Sequence, residues 1–409
     1  MKRYFSHPIF HLKPEHYVLL ILFLAPFSNF LSGINLDIYS PSMPAISDVF
    51  HATVVATKNT IAVCVLGWSL GAIIFGILFD SIGRKKILVG ALLFYLLSTL
   101  AALFCHTIHQ LMLVRFMQGF CIAAISVGCR VLIVDTITGK RYAIAILYTS
   151  IGYGLGPIIG PFIGGLLQHY IGWQANFIAL SVLSFLILIL MIIFLKETVS
   201  VRHPLKIKHI ANRCYTVLSD KIFMAGVIIG GITQIQIMLY PTIGPFIVER
   251  ELHQTVLIYG NSALIVGLSF LFGSLVNRVF LKYLSVKAIC DIGFGILIIG
   301  ILIAFLFSIL ATMDLTTVIL PLILIGISPG MIFPNVVGKN LKQFSHMPGV
   351  ALAIQTSVLL LISSIGIFLI SHVYVQRLLE LALIILVLGL FEIILFYGFY
   401  RASFKSTSQ

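Results

Sequence analysis

Charge is what this sequence lacks. Asp, Glu, Lys and Arg make up 10% of its 409 residues, and only 13 of them are acidic. Soluble domains usually carry about 25% charged residues and about 45 to 50% apolar ones, whereas this chain is 60% hydrophobic with a mean hydropathy of +1.11. Soluble enzymes, nucleic-acid readers and disulfide scaffolds are excluded. Also missing is any sustained alternation of apolar with polar residues, which excludes a transmembrane barrel. The six cysteines (64, 105, 121, 129, 214 and 290) show no CxxC or paired spacing, so they are read as small buried hydrophobes. His106 and His109 are spaced i, i+3 but have no third ligand, so no metal is expected.

What is present is a series of long apolar runs. A hydrocarbon core of about 30 Å takes roughly 20 residues of helix, and the runs predict twelve spans, at roughly 17–39, 57–79, 86–105, 110–134, 141–167, 173–195, 222–247, 255–277, 288–310, 316–338, 348–372 and 378–400. The N-terminal Lys2, Arg3 and Lys13 precede an apolar run with no small-residue cleavage site, which reads as an uncleaved first span. With the N-terminus inside, 21 of the 26 Lys and Arg fall in inside segments, three outside (Lys58, Arg250, Arg377) and two, Arg115 and Arg130, within the fourth span. That asymmetry predicts a multi-pass protein of a bacterial-type inner membrane with both termini cytoplasmic. It also explains the net charge of +13 without a nucleic-acid partner.

The long basic connection at the midpoint divides the chain into a six-helix half over 1–195, a cytoplasmic linker over 196–221 and a second half over 222–409. Tyr39-Ser-Pro41 recurs as Tyr240-Pro241, and Phe75-Gly76 followed by Asp80 recurs as Phe272-Gly273 followed by Asn277. Two parallel halves with a site between them is a plan used by secondary transporters.

Several motifs resemble those of the major facilitator superfamily. Gly76-Ile-Leu-Phe-Asp80-Ser-Ile-Gly83-Arg84-Lys85-Lys86 is similar to its loop between the second and third helices, and Arg115-Phe-Met-Gln118-Gly119 to its fourth-helix RxxQG. Gly152-Tyr-Gly154-Leu-Gly156-Pro157-Ile-Ile-Gly160-Pro161-Phe-Ile-Gly164-Gly165 resembles its antiporter signature. Asp37-Ile-Tyr39-Ser-Pro41-Ser-Met-Pro44, the stretch Arg130 to Asp135, and Gly273-Ser-Leu-Val-Asn277-Arg278 look like motifs of the Bcr/CflA-type drug:proton antiporters. Ser40, Ser81 and Val134 depart from the usual patterns. The resemblance implies an all-α membrane fold of twelve helices in two pseudo-symmetric halves. It implies a monomeric, proton-coupled efflux transporter for lipophilic or cationic small molecules, with the proton as coupling ion and no cofactor. The alternatives are an exporter of an endogenous metabolite such as a siderophore or amino acid, and a membrane-embedded lipid enzyme, for which no polar catalytic cluster is visible.

An acid within a span is a functional candidate by default. Asp37 sits near the outer end of the first span, before Pro41, and Arg115 about five residues into the fourth, so the two are expected at similar depth. One acid serving proton and cargo in turn would couple them. Met238 holds the equivalent place in the seventh span, so coupling is expected in the N-terminal half. Asn35, Tyr39, Gln118, Gln236 and Tyr240, with Gln234 and a tenth span broken at Pro329, Gly330 and Pro334, are expected to face the substrate. Gly152, Gly156, Gly160 and Gly164 form a side-chain-free stripe for close helix packing beside the bends at Pro157 and Pro161. By resemblance, the stripe seals the interface between halves, Asp80 meets the start of the eleventh span near Gly349, and Asp135 pairs with Arg84. Arg130 belongs either to that charge network or to the cavity lining. Glu392 in the twelfth span has no assigned role.

Overall fold

The structure, a computed structural model, describes residues 14–198 and 207–407. Among the described residues, twelve helices are long and apolar enough to cross a membrane: Glu15–Val49, Val54–Phe79, Arg84–Phe104, Ile108–Thr136, Arg141–Tyr170, Gln174–Phe194, Lys221–Glu251, Val256–Phe280, Val286–Leu310, Leu315–Gln343, Gly349–Ser371 and Leu378–Phe404. They are numbered here first to twelfth span in chain order. Their apolar faces leave the backbone no alternative partner in hydrocarbon, so helix satisfies every N–H and C=O internally. Caps define the starts, with Thr53, Asp220 and Ser285 accepting from the third N–H and Thr107 and Asp314 completing capping boxes.

The tenth span, expected to be broken at Pro329, Gly330 and Pro334, is one unbroken helix, Leu315–Gln343, and two further local features differ from the sequence reading. The first span does not stop at Pro41. The helix to Asp37 runs into a short 3-10 turn, Ser40–Ser42, and a further helix, Met43–Val49, with Pro41 and Pro44 in first-turn positions where no N–H is required. Asp37 therefore lies inside the bundle, only 8% exposed, and not at a wetted terminus. Second, the basic linker contains a helix, Ile207–Leu218, beside the eleventh span.

One apolar core fills the first half and continues into the seventh and eleventh spans, and a second lies within the C-terminal half; the second and fourth spans form the most extensive pair in the first half and the eighth and tenth one of the principal pairs in the second. The halves meet along the second and eleventh spans and along the fifth and eighth. Ser69 and Ser357 exchange hydrogen bonds, each hydroxyl donating to the other's carbonyl oxygen at 2.8 and 2.7 Å. Ser364 donates to the Ala62 carbonyl at 2.8 Å. Arg250 pairs with Asp48 at 2.6 Å, and Lys58 donates to the Val373 carbonyl at 3.2 Å. Among the described residues, every hydrogen bond between the halves lies between this serine pair and the end away from the Arg84 turn. The halves are thus latched at the end opposite the basic loops.

Candidate functional site

Arg115 is the centre of the N-terminal half. It is fully buried, seven residues into the fourth span. Its Nη1 donates to Gln118 Oε1 at 2.9 Å and to the Asn35 carbonyl at 3.4 Å, and the guanidinium lies over the Tyr39 ring, 4.5 Å from its centroid. Gln118 is oriented in turn by donating to Thr99 Oγ1 at 2.9 Å. Tyr95 holds Asn35 with a 2.7 Å bond to Oδ1, and Asn35 donates to Cys64 Sγ at 3.6 Å. The Tyr39 hydroxyl meets Thr60 Oγ1 at 2.8 Å. Thr60 spends its one proton on the Thr57 carbonyl, so Tyr39 is the donor. Asn35, Tyr39 and Gln118, expected to face the substrate, form the shell of Arg115 and are buried within one half. Nε and Nη2 of Arg115 have no hydrogen-bond partner among the described residues. Stacking on Tyr39 offsets part of that cost.

Asp37 is not the partner of this guanidinium: among the described residues the two form no ion pair. Asn35 and Tyr39 are four residues apart and share a helix face, whereas Asp37, at about 100° per residue, points roughly 200° away from Asn35. Its face is turned to the fifth span, where a methyl group at Gly160 would come within 3.0 Å of the Asp37 Cβ. Just beyond, Ser40 donates to the Asp37 carbonyl at 3.0 Å and meets the Tyr259 hydroxyl at 2.9 Å, so the tyrosine is the donor. The departure at Ser40 is a fully buried link between the halves.

The glycine stripe also lies elsewhere than the resemblance implies. Side chains at Gly152, Gly156 and Gly164 would run into the backbone at Pro26, Gly33 and Ile38, so the stripe locks the fifth span onto the first within the N-terminal half. The contact between halves belongs to the neighbouring face. There the Pro161 carbonyl approaches Gly260, and Pro157 and Ile158 approach Gly267.

At the basic end, Gly83 takes φ +122°, a turn an L side chain rarely adopts, and its Cα faces the Glu197 carboxylate. Arg84 Nε pairs with Asp135 at 3.0 Å, and Asp135 also accepts from Thr198 at 2.7 Å. Both members of the pair are in the N-terminal half, so it bridges helices of one half and does not span the two. Arg130 is exposed and carries no ion pair among the described residues, which places it outside that network. The side chain of Asp80 lies outside the described residues.

In the C-terminal half Tyr240 is buried, hydrogen-bonded to Ser262 and against the Tyr259 ring at 5.5 Å. Gln236 donates to Glu392, and Gln234 is half-buried. The residues that sequence reasoning missed are those with unremarkable local context. Lys58, assigned to an outer segment, is 1% exposed between the halves with the Phe246 ring 5.7 Å away. Tyr259 and Tyr95 have no motif, and only their hydroxyl partners reveal them.

Twelve spans in two halves, latched at one end around a buried arginine cage, is an arrangement that can be compared directly with known proteins. The sequence model described as Major Facilitator Superfamily matches residues 27–367. The chain belongs to the Major Facilitator Superfamily. It is a transporter of that superfamily and not an enzyme. The MFS-type transporter YdgK of Bacillus subtilis is 26% identical over 354 residues, covering 85% of this chain and 87% of the relative. The chloramphenicol resistance protein CraA of Acinetobacter baumannii is 25% identical over 364 residues, covering 87% and 86%. The multidrug resistance protein MdtM of Escherichia coli is 24% identical over 221 residues, 54% of each chain. Among solved structures, a D-xylose-proton symporter superposes with a TM-score of 0.75 at 15% identity, covering 93% of this chain and 97% of the other. A bacterial homologue of the human lysosomal transporter Spinster gives 0.69 at 13%, covering 98% of both. At these identities the superpositions establish the superfamily fold and nothing about cargo.

Proposed function

We propose that this transporter is a proton-coupled antiporter that exports lipophilic or cationic small molecules. In this reading it works as a monomer by alternating access, in a bacterial-type inner membrane with both termini cytoplasmic. The observation that carries the reading is the turn Asn35 to Tyr39, which presents an acid without an ion pair on one face and the Arg115 cage on the other. A carboxyl not locked in a salt bridge is free to take and release a proton, and its helix turn is clamped by the guanidinium. A change at one face is therefore felt at the other. Two of the relatives are named for chloramphenicol or multidrug resistance, which supports drug-like cargo. The excess of Lys and Arg in the segments assigned inside supports the orientation. For an uncharged cargo each inward proton is worth about 2.3 kcal/mol per 100 mV of membrane potential, enough to expel it against a gradient of tens-fold, whereas a monovalent cation draws on the potential only when a second proton enters.

The test is proton release from purified protein in weakly buffered detergent on addition of ethidium or chloramphenicol. The wild type is expected to release protons and Asp37→Asn to release fewer. Equal release from both overturns the assignment to Asp37.

A further inference from the structure

Glu392 sits about 21 Å along the twelfth span at helical rise, fully buried, with each carboxyl oxygen partnered by the seventh span. Thr233 Oγ1 lies 2.6 Å from Oε1, and Gln236 Nε2 donates to Oε2 at 2.8 Å. Thr233 Oγ1 is also 2.8 Å from the Ile229 carbonyl one turn back. A threonine hydroxyl has one proton to give and lone pairs to accept with, so it cannot donate to both oxygens at once. The count closes if Glu392 is a neutral acid. Its O–H donates to Thr233 Oγ1, Thr233 donates to Ile229, and the remaining carboxyl oxygen takes the N–H of Gln236.

The charged and titratable neighbours agree. The seventh span contributes only the threonine and the glutamine. The ninth contributes Cys290 and Asp291, and Asp291 is already held by Arg401 at 2.7 Å and Tyr397 at 2.9 Å. From the tenth, Lys339 places its Nζ over the Phe404 ring at 3.7 Å and the Tyr400 ring at 5.6 Å. Among the described residues no cation pairs with Glu392, and a carboxylate buried without one is costly in a low dielectric. The far end of the Gln236 amide, Oε1, is buried and meets no donor among the described residues, while the residue keeps 7% of its surface exposed.

We propose that Glu392, Thr233 and Gln236 form a second proton-binding site, in the C-terminal half, with Gln236 its least buried member. When the proton leaves, one negative charge stays on the carboxylate, and Thr233 turns its hydroxyl proton from the Ile229 carbonyl to Oε1. No other bond changes. The site rests on the proton-coupled reading and extends it from one acid to two, one in each half.

Infrared difference spectra of the purified protein across a pH step test this without any cargo. A carboxylic-acid C=O band is expected that shifts on uniform 13C-glutamate labelling, disappears in Glu392→Gln and survives in Asp37→Asn. Thr233→Val should move its frequency by removing the acceptor, which keeps the test valid if Glu392→Gln fails to fold. A spectrum unchanged by Glu392→Gln, or a band insensitive both to the label and to Thr233→Val, overturns the proposal. Failure of the Asp37 assignment would show instead as undiminished proton release from Asp37→Asn, and would leave the infrared result standing.

Discussion

Arg115 stacks on Tyr39 at 4.5 Å and, among the described residues, forms no ion pair with Asp37, although Asp37 is only two residues from Tyr39. The helix rotation between those two positions turns the Asp37 side chain to a different face from the charge cage. The pair is linked through backbone geometry and not through an ion pair.

That separation makes a prediction about Arg115 itself. A buried guanidinium with two nitrogens unpartnered is expensive, but removing it strands the buried Gln118 Oε1 without its donor, at a cost of about 1 to 3 kcal/mol, and gives up the stacking on Tyr39. Arg115→Met should therefore unfold at a lower temperature than the wild type while losing transport. Arg115→Lys should also be inactive, because an ammonium lacks the plane that covers the Tyr39 ring. Thermal melts in detergent with transport assays in vesicles check both, and an Arg115→Met at least as stable as the wild type would contradict the argument.

The glycine stripe predicts a contrast within one helix. Gly156→Ala forces a methyl into the Gly33 backbone and should cost about 1 to 3 kcal/mol, whereas Gly154→Ala, with open space around it, should be within about 0.5 kcal/mol of wild type. Denaturant or thermal unfolding of the two variants side by side measures the difference.

At the serine clasp, Ser69 and Ser357 hydroxyl oxygens are 3.3 Å apart across the halves. Cysteines at both positions should form a disulfide under oxidising conditions, arrest transport and recover it on reduction. Continued transport by a fully cross-linked protein, as judged by mass spectrometry, would mean that the halves do not separate here.

The Arg84 and Asp135 pair is partly exposed, so its own contribution to stability should be below about 1 kcal/mol. Asp135→Asn should leave the melting temperature nearly unchanged. If the pair orders the turn for transport, exchanging the two residues as Arg84→Asp with Asp135→Arg should recover more activity than either single change.

Much of this architecture could be read from the chain because membrane helices are encoded by composition over about 20 residues, a signal that needs no tertiary context. The continuation through Pro41 to Val49 was missed because a proline reads as a terminator, while its place in a first turn makes it compatible with helix. The linker helix Ile207–Leu218 was hidden by its basic composition. Motif resemblance located Asp135 beside Arg84 correctly, since both ends of that pair lie in recognisable signatures. It could not say which helix face Asp37 would occupy, nor that Ser40 would meet Tyr259, because those depend on rotation and on a partner 219 residues away.

The two sides of the fifth span give the molecule a short lever. One side is fused to the first span beside Asp37, and the other carries Pro157 and Pro161, on which the opposing half rides at Gly267 and Gly260. Both surfaces belong to one continuous helix, Lys140–Tyr170, so under alternating access a displacement of the second half would reach the acid within a single helix diameter.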